Sequence, residues 1–201
     1  FKTTEHIHTN WELVQEYPLS PELLAMSNVW RSPSGNEYVI ATKGAPEAIA
    51  DLCHFSPQHR EDLAVPVDSM AAEGLRVLGV AKSSFTRPEL PHGQHDFTFT
   101  FLGLVGFADP VRPQVPEAVR ECTTAGIRVI MITGDYPLTA QNIGRQIGLD
   151  HTDQCITGAE LEQMGEEELQ KRISTATLFA RAVPEQKLRI ASVGVGNKGR
   201  D

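Results

Sequence analysis

Ile127-Arg128-Val129-Ile130-Met131-Ile132-Thr133-Gly134-Asp135 is the stretch that decides the fold class. Ile127 to Ile132 is a mostly apolar run of strand length, and Thr-Gly-Asp follows it without a spacer. Upstream, Pro113 and Pro116 start a helix with Val115, Ala118, Val119 and Cys122 on one face, and Gly126 ends it. Downstream, a helix from about Leu138 to Ile147 is closed by Gly148. Thr177–Ala180 reads as a further strand, and Pro184 opens a helix through Lys187 and Ile190. Helices alternating with strands predict a parallel sheet with helices on its faces. Ligands bind such sheets at the loops after the carboxyl ends of the strands.

Thr133-Gly134-Asp135 occupies such a loop. A Thr hydroxyl and the N–H groups of a Thr-Gly turn can hold phosphate oxygens, and Gly lets the ligand come close to the backbone. A plain strand-to-helix turn with Asp135 as N-cap would carry the same residues. Lys187 follows Pro184 by about one helical turn, where a cation could neutralise a phosphoryl group or simply face solvent. Glu166-Glu167-Glu168 reads as a solvated helix face.

The preceding hundred residues read differently. Leu24–Trp30 and Glu37–Ala41 are short β-rich runs around Ser32-Pro33-Ser34-Gly35-Asn36, which predicts a hairpin. Lys43-Gly44 then precedes a helix from Pro46 to Cys53, a junction that suits a nucleotide or is a surface loop with a good helix start, and the spacing is not that of a Walker A loop. Pro66–Glu73 is expected to be a helix closed by Gly74, and Leu75–Ala81 and Phe97–Phe107 are expected strands. Arg76 is a candidate phosphate fork or an ordinary exposed strand residue. Thr86–Asp96 is expected to be a loop near the junction of two modules. Asp109-Pro110-Val111-Arg112-Pro113 reads as a rigid hinge with an Asp109–Arg112 ion pair.

The 201 residues carry 18 Lys and Arg against 26 Asp and Glu, a net charge of −8. Residues 1–100 hold 7 basic and 13 acidic residues, so a net of −6 lies there. An acidic balance argues against a nucleic-acid surface, and nucleotide binding would rest on a few placed cations. Cys53, Cys122 and Cys155 are too few for a disulfide scaffold and read as reduced thiols of a cytosolic environment. His6 and His8 alternate on a possible strand, and His92 and His95 sit in the loop, with no metal-ligand spacing, so no metal site is assigned. No run approaches the length of a membrane span, and the N-terminal Phe1-Lys2-Thr3-Thr4-Glu5 has no apolar signal-peptide core. The absence of an initiator Met fits a piece of a longer chain.

Six stretches in order carry a resemblance. They are Tyr17-Pro18-Leu19-Ser20 through Ala25-Met26-Ser27, Lys43-Gly44-Ala45-Pro46-Glu47, Gly74-Leu75-Arg76-Val77-Leu78, Asp109-Pro110-Val111-Arg112, Met131-Ile132-Thr133-Gly134-Asp135, and Ala180-Arg181-Ala182-Val183-Pro184-Glu185-Gln186-Lys187. The series resembles the cytosolic part of a P-type cation-transporting ATPase of the calcium type and its relatives, from about residue 12 to residue 190. The resemblance implies an α/β protein in two parts. Residues 1–100 would be an α+β nucleotide-binding domain, and 101–201 an incomplete phosphorylation domain with a haloacid-dehalogenase-like, Rossmann-like parallel sheet. It implies that Lys43 and Gly44 line an adenine pocket and that Arg76 reaches the ATP phosphates. Asp109 and Arg112 would lie at the hinge near the nucleotide, and Thr133 and Gly134 would bind the transferred phosphoryl group. Asp135 would organise the nucleotide site, Arg181 would lie near the ribose, and Lys187 would compensate phosphoryl charge. ATP and Mg²⁺ would be the cofactors, with the Mg²⁺ ligands outside this chain. The partners would be the rest of the pump, its actuator domain and membrane helices, at the cytoplasmic face of a membrane.

The chain also departs from that pattern. The nucleophilic Asp-Lys-Thr-Gly-Thr string and the Mg²⁺-binding Gly-Asp-Gly-x-Asn-Asp string are both absent, and the tail Ser192–Gly199 does not match the second. Phosphoryl transfer needs both, so the chain alone is expected to be inactive. Leu19 and Leu24 stand where many animal pumps carry an adenine-stacking aromatic and a Lys, which predicts weak ATP binding, about millimolar, or near −4 kcal/mol. Two other readings are a non-catalytic nucleotide-binding regulatory module and a haloacid-dehalogenase-like phosphatase. The latter needs a nucleophile that Asp51, Asp62 and Asp68 do not supply. Ile127–Ile132 and Thr177–Ala180 are expected to leave an exposed apolar edge, which invites strand exchange between copies.

Overall fold

A β-strand sends alternate side chains to opposite faces, and the segment Ala25–Arg31 uses this strictly. Ala25, Ser27 and Val29 are fully buried, while Met26, Asn28 and Trp30 lie on the other face, partly exposed. The computed structural model of the chain describes residues 10–20, 22–35, 37–87 and 89–196. His6 and His8, and the end of the tail from Asn197, lie outside the described residues.

The chain divides into two compact units, residues 1–67 with 77–106, and residues 68–76 with 107–201. The first unit is built on a five-stranded sheet in the order β1-β2-β3-β4-β5. Its strands are β1 (Glu12–Tyr17), β2 (Ala25–Arg31), β3 (Tyr38–Gly44), β4 (Arg76–Phe85) and β5 (Thr100–Phe107). The first three pairings are antiparallel. The predicted hairpin is β2–β3, closed around Gly35, whose φ of +76° is a left-handed value that glycine adopts without strain. Helix α1 (Pro46–Leu52) packs Ile49 and Leu52 into the core with Val29, Ile40 and Phe97. Phe97 is the hub of that core, edge-on to Tyr17 at 5.6 Å, Phe85 at 5.4 Å and Phe99 at 5.9 Å.

Helix α2 (Pro57–Ala72) corrects the sequence reading, which began a helix at Pro66. Pro57 is the proline that opens it, and Pro66 lies inside. Val65 and Pro66 face solvent, so water can serve the Asp62 carbonyl that Pro66 leaves without an N–H. The loop Thr86–Asp96 also differs from expectation. It joins β4 and β5, neighbours in one sheet, and does not lie at the junction of the units. It is tied to the first unit by the Tyr17 hydroxyl on the Pro91 carbonyl and by the Ser27 hydroxyl on Gln94 Oε1 at 2.6 Å. His95 Nε2 also lies 2.9 Å from Asp51.

The second unit holds a parallel sheet in the order β6-β8-β7, from β6 (Met131–Ile132), β7 (Cys155–Thr157) and β8 (Leu178–Ala180). Around it stand α3 (Val115–Thr124), α4 (Pro137–Gln146), α5 (Gly158–Gln163), α6 (Glu166–Thr175) and α7 (Pro184–Gly196). This is the predicted alternation, with two corrections. Only Met131 and Ile132 of the expected six-residue strand are in the ladder, because β8, itself three residues long, is the one strand they pair with. And β8 is no edge: it lies between β6 and β7, and Leu178, Phe179 and Ala180 are fully buried. β6 and β7 are the edge strands, and Ile127 ahead of β6 is 56% exposed. Phe179 packs with Ile156, Leu161, Leu169, Ile173 and Ile190, joining α5, α6 and α7 to the sheet. Glu166, Glu167 and Glu168 form the exposed first turn of α6, where acidic residues favour the helix dipole.

Candidate functional site

In the second unit the loops after β6 and β8 are stitched together by backbone hydrogen bonds. The Thr133 N–H donates to Phe179 at 2.9 Å, the Ala182 N–H to Thr133 at 3.0 Å, and the Arg181 N–H to Asp135 at 3.1 Å. Both loops leave the carboxyl ends of parallel strands, where ligands are expected. Arg181 adopts φ +54°, a conformation that costs a non-glycine residue energy and holds only where neighbours enforce it. Its guanidinium lies over the Tyr136 ring, 4.6 Å from the centroid, and burial lowers its pKa. Burial, with a smaller effect from Asp68, pushes the Tyr136 phenol up to about 12, so it stays neutral at ordinary pH.

Asp135 is not the N-cap of α4; that position is Tyr136, which makes no side-chain cap. Its carboxylate turns inward, accepting from the Thr133 hydroxyl at 2.9 Å, while its N–H donates to the same hydroxyl at 3.1 Å. Arg76 Nε lies 3.8 Å from Asp135 Oδ1, so the sequence candidates Arg76, Thr133, Gly134, Asp135 and Arg181 come together. A Cβ on Gly134 would meet only the Ala182 carbonyl, at 4.0 Å, so the surface in front of this turn is open. The uncapped first turn of α4, with Pro137 at its start, adds partial positive charge beside it.

The frame around this turn rests on residues that the sequence reading passed over. Gln186 is buried; its Oε1 accepts from the Val183 N–H at 3.1 Å, and its Nε2 donates to Gly158 at 2.9 Å. A Gln three residues after a helix-starting position is half of a capping box, and that was the available signal. Gly158 has no such signal. A Cβ there would fall on the Arg181 carbonyl oxygen, 3.1 Å from its carbon and 2.8 Å from Gln186 Oε1. Lys187, next in the same helical turn, is exposed, and its N–H donates to Val183 at 3.1 Å. The turn ahead of β4 is fixed by α4: the Thr139 hydroxyl donates to Leu75 at 2.8 Å and Asn142 to Ala72 at 2.7 Å. Asp109 and Arg112 are exposed, and among the described residues no ion pair joins them, contrary to the sequence reading.

In the first unit, Lys43 is exposed at the end of β3, opposite Met26 of β2. It borders a cavity of about 260 Å³ lined by Met26, Asn28, Trp30, Ala41, Lys43 and Val80. Gly44 faces away from that space: a Cβ there would strike the backbone of Ala25, 2.6 Å from its Cα. Its smallness serves the approach of β3 to the start of β2, where the Ala45 N–H donates to Leu24 at 2.8 Å. Among the described residues, no group of three His, Cys, Asp or Glu side chains is placed to hold a metal. Nor is any helix among them long and apolar enough to cross a membrane.

Comparison with known proteins returns one family. Residues 1–114 match the family described as P-type ATPase, cytoplasmic domain N. Calcium-transporting ATPase 1 of Yarrowia lipolytica is 34% identical over 195 residues, covering 88% of this chain and 20% of that protein. The calcium-transporting ATPase of Bacillus subtilis is 30% identical over 198 residues, covering 92% and 22%. A sodium/potassium exporting P-type ATPase of Schizosaccharomyces pombe is 31% identical over 197 residues, covering 88% and 19%. The chain thus spans about a fifth of the length of the relatives it matches.

Proposed function

Because this chain belongs to the P-type cation-transporting ATPase family, we propose that it is the ATP-binding and phosphoryl-transfer portion of an ATP-driven cation pump at the cytoplasmic face of a membrane. The observation that carries the reading is the open Thr133-Gly134-Asp135 turn with Arg76 and Arg181 beside it, at the carboxyl edge of a parallel sheet. Two guanidinium groups and the N–H groups of a helix start suit a polyphosphate. Residues 1–100 are then the nucleotide-binding domain and 101–201 part of a phosphorylation domain of haloacid-dehalogenase type. Lys43 sits at the adenine pocket, with Gly44 closing the strand beneath it. Arg76 takes the ATP phosphates, Arg181 the ribose, and Asp109 and Arg112 the hinge. Thr133 and Gly134 receive the transferred phosphoryl group, Asp135 holds Thr133 and Arg76 in place, and Lys187 compensates charge.

Mg²⁺ supplies charge neutralisation at the phosphates in such transfer. Among the described residues no group of three His, Cys, Asp or Glu side chains is placed to hold the ion. The accepting Asp lies outside this sequence, so the chain alone binds ATP without turning it over. Strand exchange between copies of the isolated chain would start at the β6 edge.

The test is a titration of the chain with ATP, following the backbone amides of Lys43, Arg76 and Thr133. Shifts saturating with a dissociation constant of about 1 mM are expected. Unmoved amides at several millimolar nucleotide would remove the proposal.

A further inference from the structure

We propose that Gln186 is a positioning residue of the Thr133-Gly134-Asp135 site. From α7 it clamps the loop after β8 onto the start of α5, and so holds the Arg181 backbone in the conformation that sends its guanidinium to the Tyr136 ring. The assignment rests on the ATP-binding reading above and adds a residue to which that reading gives no role.

The Arg181 backbone is held where an arginine does not rest by preference. Its φ of +54° lies in the left-handed region, where a Cβ crowds the backbone, so the conformation persists only under restraint. Two restraints act on the residue itself. Its N–H donates to Asp135 at 3.1 Å, and its carbonyl lies against Gly158, so closely that a Cβ on that glycine would overlap it. The second of these is a contact without a bond, and something must hold the two segments together. Gln186 does so with one side-chain amide. Its Oε1 accepts from the Val183 N–H at 3.1 Å, two residues beyond Arg181, and its Nε2 donates to the Gly158 carbonyl at 2.9 Å.

Helix capping accounts for the first of those bonds and not for the second. The bond to Gly158 reaches another element, 28 positions away, and serves the register of the Arg181 loop on α5. Gln186 is 9% exposed, so water has little access to replace either bond when the amide is lost. Without the clamp, Arg181 can relax to an ordinary φ of about −65°. That turn of about 120° about the N–Cα bond carries the guanidinium away from Tyr136 and from the edge where the loops after β6 and β8 meet.

Two variants of the whole chain separate clamping from capping. Gln186→Glu keeps an acceptor for the Val183 N–H and loses the donor to Gly158; Glu162 Oε1, 3.4 Å from Nε2, also repels a carboxylate there. Gln186→Met keeps the side-chain length and loses both bonds. The readouts are the Arg181 Nε–H resonance, which the Tyr136 ring current shifts, and ATP affinity from amide-shift titration. Both variants are expected to lose the ring-current shift and to bind ATP about fivefold more weakly. Gln186→Met combined with Arg181→Ala is expected to bind no more weakly than Arg181→Ala alone, because the two act through one group. An Arg181 resonance at its original position in either folded variant, or losses that multiply in the double variant, would overturn the inference with ATP binding left standing. A lost ring-current shift with ATP affinity unchanged in Arg181→Ala would remove Arg181, and Gln186 with it, from the site. Amides of the unaltered chain that do not move with ATP would overturn the reading beneath it.

Discussion

Gly158 is the position where the geometry of the second unit is most exposed to test. Alanine there places a methyl group on the Arg181 carbonyl and 2.8 Å from Gln186 Oε1. Neither neighbour is free to yield. Gln186 is buried and bonded to Val183 and Gly158, and the Arg181–Ala182 backbone is bonded to Asp135 and Thr133. Relief requires the Arg181 loop to retreat by about an ångström, which overpacking typically charges at 1–3 kcal/mol. That movement also strains two backbone hydrogen bonds, worth about 1 kcal/mol each. Reduced unfolded-state freedom on replacing Gly returns roughly 0.5–1 kcal/mol. The net expectation is a loss of about 2–3 kcal/mol, seen by urea unfolding with a probe in the second unit, and faster amide exchange at Arg181 and Ala182. Gly134→Ala is the matched control, since its methyl group meets only the Ala182 carbonyl at 4.0 Å. It should change stability by less than about 0.5 kcal/mol. If Gly158→Ala is as stable as Gly134→Ala, the stitched-loop account is wrong.

Three further outcomes follow from single contacts. Thr157 and Glu160 form a reciprocal capping box at the start of α5, so Thr157→Ala should cost about 1 kcal/mol by denaturant unfolding. Tyr136→Ala should remove the ring stacked on the Arg181 guanidinium and cost about 1 kcal/mol, whereas Tyr136→Phe should keep the stack; denaturant unfolding separates the two. His95 and then Arg60 hold the Asp51 carboxyl below its usual range. A carboxylate so depressed adds stability above its unfolded pKa of about 4 and loses it as pH falls through the lower folded value. The pair is half-exposed, so the effect is small, but Asp51→Asn should remove that acid limb and speed exchange in the loop ending at Asp96 at neutral pH.

What was legible in the sequence followed from local chemistry. The β2–β3 hairpin, α1 after Lys43-Gly44 and the α3-β6-α4 succession each carry a period, a proline start or a glycine stop within a few residues. The misreadings came partly from unseen helix context and partly from interactions at long sequence separation. Pro66 looks like a helix start because nothing nearby says that residues 57–65 are already helical, or that its own face meets water. β6 is short because its ladder ends with the three residues of β8, some 46 positions away. Asp135 has the residue type of an N-cap, yet its carboxylate goes to Thr133 and Arg76, the latter 59 positions earlier.

The same distinction separates the two glycines of the resemblance. Gly44 and Gly134 look equivalent in sequence, each beside a polar candidate at a strand end. In the fold they do opposite things. Gly44 is filled against the Ala25 backbone and cannot be the open floor of a ligand site, whereas Gly134 borders free space. A ligand at Lys43 must therefore enter from the face that carries Asn28 and Trp30, the other side of the strand from the one Gly44 keeps clear. With a net charge of −6 in residues 1–100, no general field draws a nucleotide there, and the cation that meets it must already stand at the cavity's edge. In the proposed reading Lys43 is that cation, at the border of the cavity lined by Met26, Trp30 and Ala41.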